Sequence, residues 1–506
     1  MAQIQPASAA TSPPGKLRAA FASHPRGLVT LFFTEMWERF SYYGMRALLV
    51  LFMTAPLTGT NAGLGFEVGK STAIYGLYTS MVYLLALPGG WVADKLWGQR
   101  KAVFVGGCII ACGHFSLAVP SLPTFYLGLI LIVLGTGLLK PNVSTMVGDL
   151  YPEGGARRDA GFSIFYMGIN MGAFLGTLLC GFLGEGYNFH WGFSLAGIGM
   201  VLGLIQYSLG GKHLHEAGRL KTNEPAAVVA RRARTFWSVA AAIAVAVTAF
   251  GFLAAAGAIA VSIQGVAAWL GSGILVVSGL FFLYLFFAAD LTHVEKKRLG
   301  VIMWLYVLAA VFWSGFEQAG SSMNIFARDL TDRVVLGWEM PASWLQNVNP
   351  VLIVLFAPVF GWLWTWLASR KMNPSTPMKF ALGLFGLAGG FFVLSWGAAN
   401  ADGGNRVSMS WLIVTFFFHT VGELCLSPVG LSSMTKLAPQ GRVGQMMGVW
   451  FIAAALGNLL AGLVAGRIED LAPSALFRSV ALFVGTAGLI AVLVSPLVKR
   501  TSNAVD

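Results

Sequence analysis

The chain has 506 residues, 56% of them hydrophobic and only 11% charged, whereas soluble chains carry about 25% charged residues; a mean hydropathy of +0.72 excludes an ordinary water-soluble domain. The net charge of +12 would suit nucleic acid, but the lysines and arginines are spread over short loops between apolar runs. Retention of positive loops in the cytoplasm explains that pattern, so no nucleic-acid partner is expected.

In chain order, an Ala-, Ser- and Pro-rich stretch through Gly15 lacks the pattern of a cleavable signal and reads as part of a disordered cytoplasmic tail, residues 1–27. Apolar runs of about 20 residues follow, and in lipid such runs satisfy their backbone only as helices. The first six fall near 28–56, 72–93, 102–120, 122–146, 161–184 and 191–210, a bundle spanning 28–211. A polar linker and two apolar runs near 235–262 and 266–289, joined by a short turn at Gln264 and Gly265, read as an inserted helical hairpin within 212–298. A second bundle, 299–497, has runs near 300–326, 346–368, 378–398, 409–434, 445–466 and 475–497, followed by a short tail, 498–506. The fold class is therefore an all-α membrane protein with two six-helix bundles and an inserted two-helix hairpin, 14 transmembrane helices in all. Arg26, Lys95, Arg100, Arg157, Lys296, Arg370, Lys436 and Lys499 fall in loops on one side of this scheme, which predicts both termini in the cytoplasm.

The first run is interrupted by Glu35, Glu38, Arg39, Tyr42, Tyr43 and Arg46. At about 100° per residue these offsets share an arc of roughly 140°, so the polar groups form one helix face. A charge at the bilayer centre costs about 2.5–3.5 kcal/mol on insertion scales, so that face must line protein or water. Lys140, Glu317 and Glu423 are further isolated charges within apolar runs. A zwitterion fits this polarity, its carboxylate toward Arg39, Arg46 and Lys140, its ammonium toward Glu423, with Asn170 and Asn349 as neutral hydrogen-bonding groups. An extended dipeptide or tripeptide spans roughly 7–11 Å, a fitting gap between two bundles.

No Walker A pattern occurs and no soluble segment could hold a nucleotide-binding domain. Buried carboxylates beside cations, Glu35, Glu38 and Glu317 above all, make the proton the expected coupling ion, with no other cofactor and no metal. Neither an H-E-x-x-H nor a G-x-S-x-G pattern is present, so an enzyme is not expected. A drug exporter would share the fold, but the cationic cluster opposes lipophilic cations; a receptor that binds peptides without moving them stays open at this level. Cys108, Cys112, Cys180 and Cys425 have no zinc or disulfide spacing and read as packing residues, as do His114 and His419. Pro88, Pro141, Pro350 and Pro428 fall inside apolar runs, where each would bend a helix.

These residues carry a resemblance. EMWERFSYYG, with Glu35, Glu38 and Arg39, resembles the E-x-x-E-R motif of the proton-dependent oligopeptide transporter family within the major facilitator superfamily. GGWVADKLWGQRK, with Gly90, Asp94, Gly98 and Arg100, resembles the superfamily's cytoplasmic loop. Further family-like segments are LLKPNVS, FSIFYMGINMG, FEQAGSS, NPVLIVLFAP and GELCLSPVGLSSM, covering both halves. The resemblance implies alternating access and uptake of dipeptides and tripeptides with protons, peptide-like drugs being left open, by a monomer in the plasma (inner) membrane. It implies proton coupling by Glu35, Glu38, Arg39, Lys140 and Glu317. Peptide contacts are implied for Arg39, Tyr43, Arg46, Tyr83, Lys140, Asn170, Glu317, Asn349, Glu423 and Trp450, and a conformational role for the loop residues Gly90, Asp94, Gly98 and Arg100. Glu317 and Arg46 resemble partners in an outward-side gate. Animal members use a second-helix histidine, which this chain lacks.

Overall fold

A computed structural model describes residues 24–153, 155–220, 224–401 and 404–503. The tail expected at 1–27 lies outside the described residues up to position 23. The first half comprises α1 (Arg26–Thr54), α2 (Val68–Leu84) continued by α3 (Ala86–Val92), α4 (Gln99–Leu117), α5 (Leu122–Asp149), α6 (Gly155–Gly186) and α7 (Phe189–Gly210). The hairpin is α8 (Ala226–Ala255) and α9 (Ile263–Phe287). The second half comprises α10 (His293–Phe316) with the short α11 (Ser322–Asp329), then α12 (Val348–Ser369), α13 (Thr376–Ala399), α14 (Ser410–Leu437), α15 (Val443–Ala465) and α16 (Pro473–Asn503). Twelve helical spans are long and apolar enough to cross a membrane by length and composition. The charge-interrupted α1 and the 17-residue α2 complete fourteen crossings. An even number of crossings returns residue 503 to the face on which residue 24 lies.

Helices in lipid gain little from apolar burial against one another, so close backbone approach is what holds them. On α6, Gly172 and Gly176 are pressed against α1 so tightly that a Cβ at either would stand 2.2 Å from the carbonyl oxygen of Met36 or Phe40. Between the halves, α2 and α15 meet at Gly76 and Gly462. A continuous buried apolar cluster runs from Leu48 and Phe52 on α1 through Tyr75 to Phe312, Leu456 and Leu459. A separate, smaller one, including Leu28, Val103, Met146 and Tyr207, stays within the first bundle near the termini.

Several expectations need correction. The run at 72–93 is two helices, broken at Leu85 three residues before Pro88, and the chain then makes a π-helical turn at Ala93–Trp97. The run at 300–326 is not continuous: GFEQAGSS, rich in glycine and serine, forms a 3-10 turn at Glu317–Gly320 before α11. Pro350 lies in the first turn of α12, where a missing N–H costs nothing, whereas Pro358 and Pro496 are interior. The hairpin turn is not at Gln264 and Gly265; both belong to the first turn of α9, capped by the Ser262 hydroxyl, which accepts from the Gly265 N–H at 2.9 Å. At the end of the chain α16 runs to Asn503, six residues beyond the expected boundary at 497. Small strand pairings join Thr331–Asp332 to Val407–Ser408 and Val334–Val335 to Trp338–Glu339 in loops on the face remote from the termini.

The hairpin is peripheral. None of the most apolar stretch of α8 is buried, and its contacts with the first bundle run through Phe236 stacked on Trp91 and Trp237 tilted on Trp97, with ring centres 5.3 and 5.5 Å apart. The closer-packed α9 touches α2, α10 and α15.

Candidate functional site

The charged groups on the polar face of α1 lie inside the protein. Glu35, Glu38, Arg39 and Arg46 are all buried, so their charges are met by protein groups rather than lipid. Arg39 lies between two carboxylates, 3.0 Å from Glu35 and 2.5 Å from Glu38. Its guanidinium carbon stands 5.4 Å from the centre of the Tyr42 ring. Two carboxylates sharing one guanidinium leave an excess negative charge in a medium that tolerates none, which a proton or a second cation would remove.

Two turns along the same face, Arg46 leaves its own bundle and pairs with Glu317 of the second half. Its Nε donates to the Tyr75 hydroxyl at 2.5 Å, and its guanidinium lies 5.6 Å from the ring centres of both Tyr43 and Tyr75. Glu317 can meet it because α10 ends at Phe316 and the 3-10 turn carries the carboxylate inward. On α5, the Lys140 ammonium stands over the Tyr83 ring of α2 at 3.9 Å, a cation–π contact that partly replaces lost hydration.

Across the gap, Asn349 near the start of α12 donates to Glu423 Oε2 at 3.1 Å and to the Thr420 hydroxyl at 3.0 Å, both on α14. Tyr43, Tyr83, Lys140, Asn349 and Glu423 keep partial exposure. Asn170 turns its amide back to the Tyr166 carbonyl at 3.0 Å, and Trp450 is buried in the second bundle against Gly430 and Phe380.

Away from the termini the halves are tied together by further contacts. The Glu185 carboxylate accepts from the backbone N–H groups of Ala342 and Ser343 at 2.7 and 2.9 Å. Trp344 Nε1 donates to the Leu178 carbonyl at 2.9 Å, Asn324 to the Ala47 carbonyl at 2.8 Å, and Arg328 to the Thr54 hydroxyl at 2.6 Å.

On the face that carries the termini, Asp94 accepts from Gln99 Nε2 at 2.8 Å. Gly98 adopts φ +77°, and a Cβ there would lie 2.6 Å from the Leu220 nitrogen. Arg100 Nε donates to the Ala217 carbonyl at 2.7 Å, and a second guanidinium N–H reaches the His215 carbonyl. The loop thus clasps the linker that leaves α7, and Gly90 faces Pro141 of α5.

Sequence reasoning named Arg46 and Glu317 but missed Tyr75, Thr420 and Glu185, which complete the polar contacts. Tyr75 carried a usable signal, a hydroxyl inside an apolar run, since a buried Tyr hydroxyl needs a partner. Among the described residues no cluster of His, Cys, Asp and Glu could hold a metal ion. The four cysteines are free.

Two helical bundles facing each other across buried charges, with a hairpin at the side, define a multi-pass carrier of the major facilitator type, not an enzyme. The POT family pattern matches residues 100–476, and the chain belongs to that family. It is 42% identical over 497 residues to the peptide transporter YePEPT of Yersinia enterocolitica, covering 96% of each chain. It is also 39% identical over 445 residues to a di-/tripeptide transporter of Lactococcus lactis subsp. cremoris, covering 87% of this chain and 88% of that one. The crystal structure of a peptide transporter POT in complex with sulfate superimposes with a TM-score of 0.88 at 39% identity, over 95% of this chain and 96% of that one.

Proposed function

We propose that the chain takes up dipeptides and tripeptides together with protons, by alternating access, across the plasma (inner) membrane, with both termini in the cytoplasm. The observation that carries this reading is the division of charge across the gap. Arg39, Arg46 and Lys140 belong to the first half, and a Glu423 oriented by Asn349 belongs to the second. A zwitterion's carboxylate and ammonium meet complementary groups in that arrangement, and a peptide of two or three residues supplies the length. The names of the relatives support the substrate class.

Coupling rests on Glu35, Glu38, Arg39, Lys140 and Glu317. Uptake of a proton by the triad around Arg39 would loosen the guanidinium for a substrate carboxylate, and protonation of Glu317 would free Arg46 and part the halves at the outer side. The conformation seen here, tied together away from the termini, is then the inward-facing one, with Tyr43, Tyr83, Asn170 and Trp450 as candidate contacts to the peptide. Gly90, Asp94, Gly98 and Arg100 would hold the cytoplasmic loop through the swing, and the working unit is a monomer.

The test is uptake of labelled dialanine into proteoliposomes, with and without an inward proton gradient and a negative interior. Accumulation that an uncoupler abolishes and di- and tripeptides compete supports the reading. Binding without accumulation would make the protein a receptor.

A further inference from the structure

A second cavity lies inside the C-terminal half, at the end of the bundle that carries the termini. Its volume is about 710 Å³, and α10, α12, α13 and α14 surround it. Arg298, Lys379 and Lys436 line it together with Ser375 and Ser432, and no aspartate or glutamate is among the lining residues. Along α14 the lining runs from Leu424 to Leu437, with Lys436 at the far end, and neither Glu423 nor Asn349 belongs to it.

Lys379 is the decisive residue. It is only 9% exposed, and its ammonium meets the Trp364 ring at 4.3 Å. Among the described residues no carboxylate pairs with it. A buried ammonium held by an aromatic face alone has lost most of its hydration without regaining an anion. It also sits in the first turn of α13, whose N-cap Ser375 makes no side-chain cap and instead meets the Ser495 hydroxyl at 3.3 Å. Pro377 has no N–H and the Lys379 N–H bonds the Ser375 carbonyl at 3.0 Å, so Thr376 is the residue of this first turn that lines the cavity with an uncapped N–H, where the helix dipole favours negative charge. Lys379 and the terminus of α13 face this cavity together with Lys436 and the Ser432 hydroxyl of α14, and the lining offers no competing acid.

We propose that this cavity binds a phosphate-class oxyanion, either the headgroup phosphate of an anionic lipid or a soluble phosphate. A tetrahedral oxyanion accepts several hydrogen bonds from different directions, as point-charge ammonium groups and a helix N-terminus require. The bound anion would clamp α13 to α14 at the end of the bundle that carries the termini.

The test uses the purified full-length chain in phosphatidylcholine nanodiscs and reads its thermal unfolding midpoint in three arms: no addition, phosphatidylglycerol in the bilayer, and inorganic phosphate against chloride at equal ionic strength. At least one anionic arm is expected to raise the midpoint by a few degrees. That shift should be lost in Lys379→Gln, kept in Lys379→Arg, and reduced in Lys436→Gln. A shift in the lipid arm alone identifies a headgroup, and one in the phosphate arm a soluble anion. Should Lys379→Gln fail to fold, the exposed Lys436 carries the comparison. Absence of any shift in the parent protein, or a full shift retained in both glutamine variants, overturns the proposal.

Discussion

Arg46 of α1 and Glu317 of the turn after α10 stand 271 positions apart in the chain and form a buried ion pair between the two halves of the molecule. Because Arg46 also holds the Tyr75 hydroxyl, the contact ties three segments at once, and it lies at the end of the site remote from the termini. Removing one partner of such a pair strands the other charge, at a cost of about 3–5 kcal/mol.

Glu317→Gln should therefore weaken the closed outer side. With Ser343→Cys as a reporter in a background lacking the native cysteines, labelling by a membrane-impermeant thiol reagent from outside is expected to rise more than about tenfold. An unchanged labelling rate would show that the pair does not hold the closed state.

Glu38 is wholly buried and 2.5 Å from Arg39. Replacement by Gln keeps the shape and removes the titratable group, so gradient-driven accumulation of dialanine should fall to background while peptide exchange across the membrane continues. Undiminished uphill uptake by Glu38→Gln would rule this residue out of the coupling.

Glu423 is held by Asn349 and faces the gap. A hydrogen bond to a charged group contributes about 1.5–3 kcal/mol, or roughly 10–100-fold in affinity. Glu423→Ala should lose that factor for peptides with a free amino end and much less for peptides acetylated there, as read by competition. Equal losses for both ligands would dismiss the assignment.

At Gly176 any side chain would meet the Phe40 carbonyl oxygen. Gly176→Leu forces α6 away from α1 and should destabilise the protein by about 1–3 kcal/mol, the usual cost of overpacking. A thermal unfolding midpoint equal to that of the parent chain would mean the helices have slack that the close approach denies.

Much of this was legible in one dimension. Fourteen apolar runs, the face shared by Glu35, Glu38, Arg39 and Arg46, and the isolated charges at Lys140, Glu317 and Glu423 are visible because lipid penalises each polar group individually. Helix ends were less legible. The break after Phe316, the one at Leu85 and the turn before Ser262 depend on where glycines, serines and caps find partners, and hydropathy is blind to that. Thr420 carries no signal in the sequence, because a Thr hydroxyl in an apolar helix is satisfied by its own backbone, here the Phe416 carbonyl at 2.7 Å, until a charge is placed beside it.

The sequence by itself determined that the chain spans a membrane, how many times it does so, and which helix face carries charge, since these follow from the cost of moving each residue into hydrocarbon. Only the tertiary structure decided that Arg46 pairs with Glu317, that Asn349 orients Glu423, and that Glu185 caps the segment at Ala342. Those partners are brought together by the packing of two separate bundles, and a hydrogen bond depends on distances of tenths of an ångström that no pattern along the chain encodes.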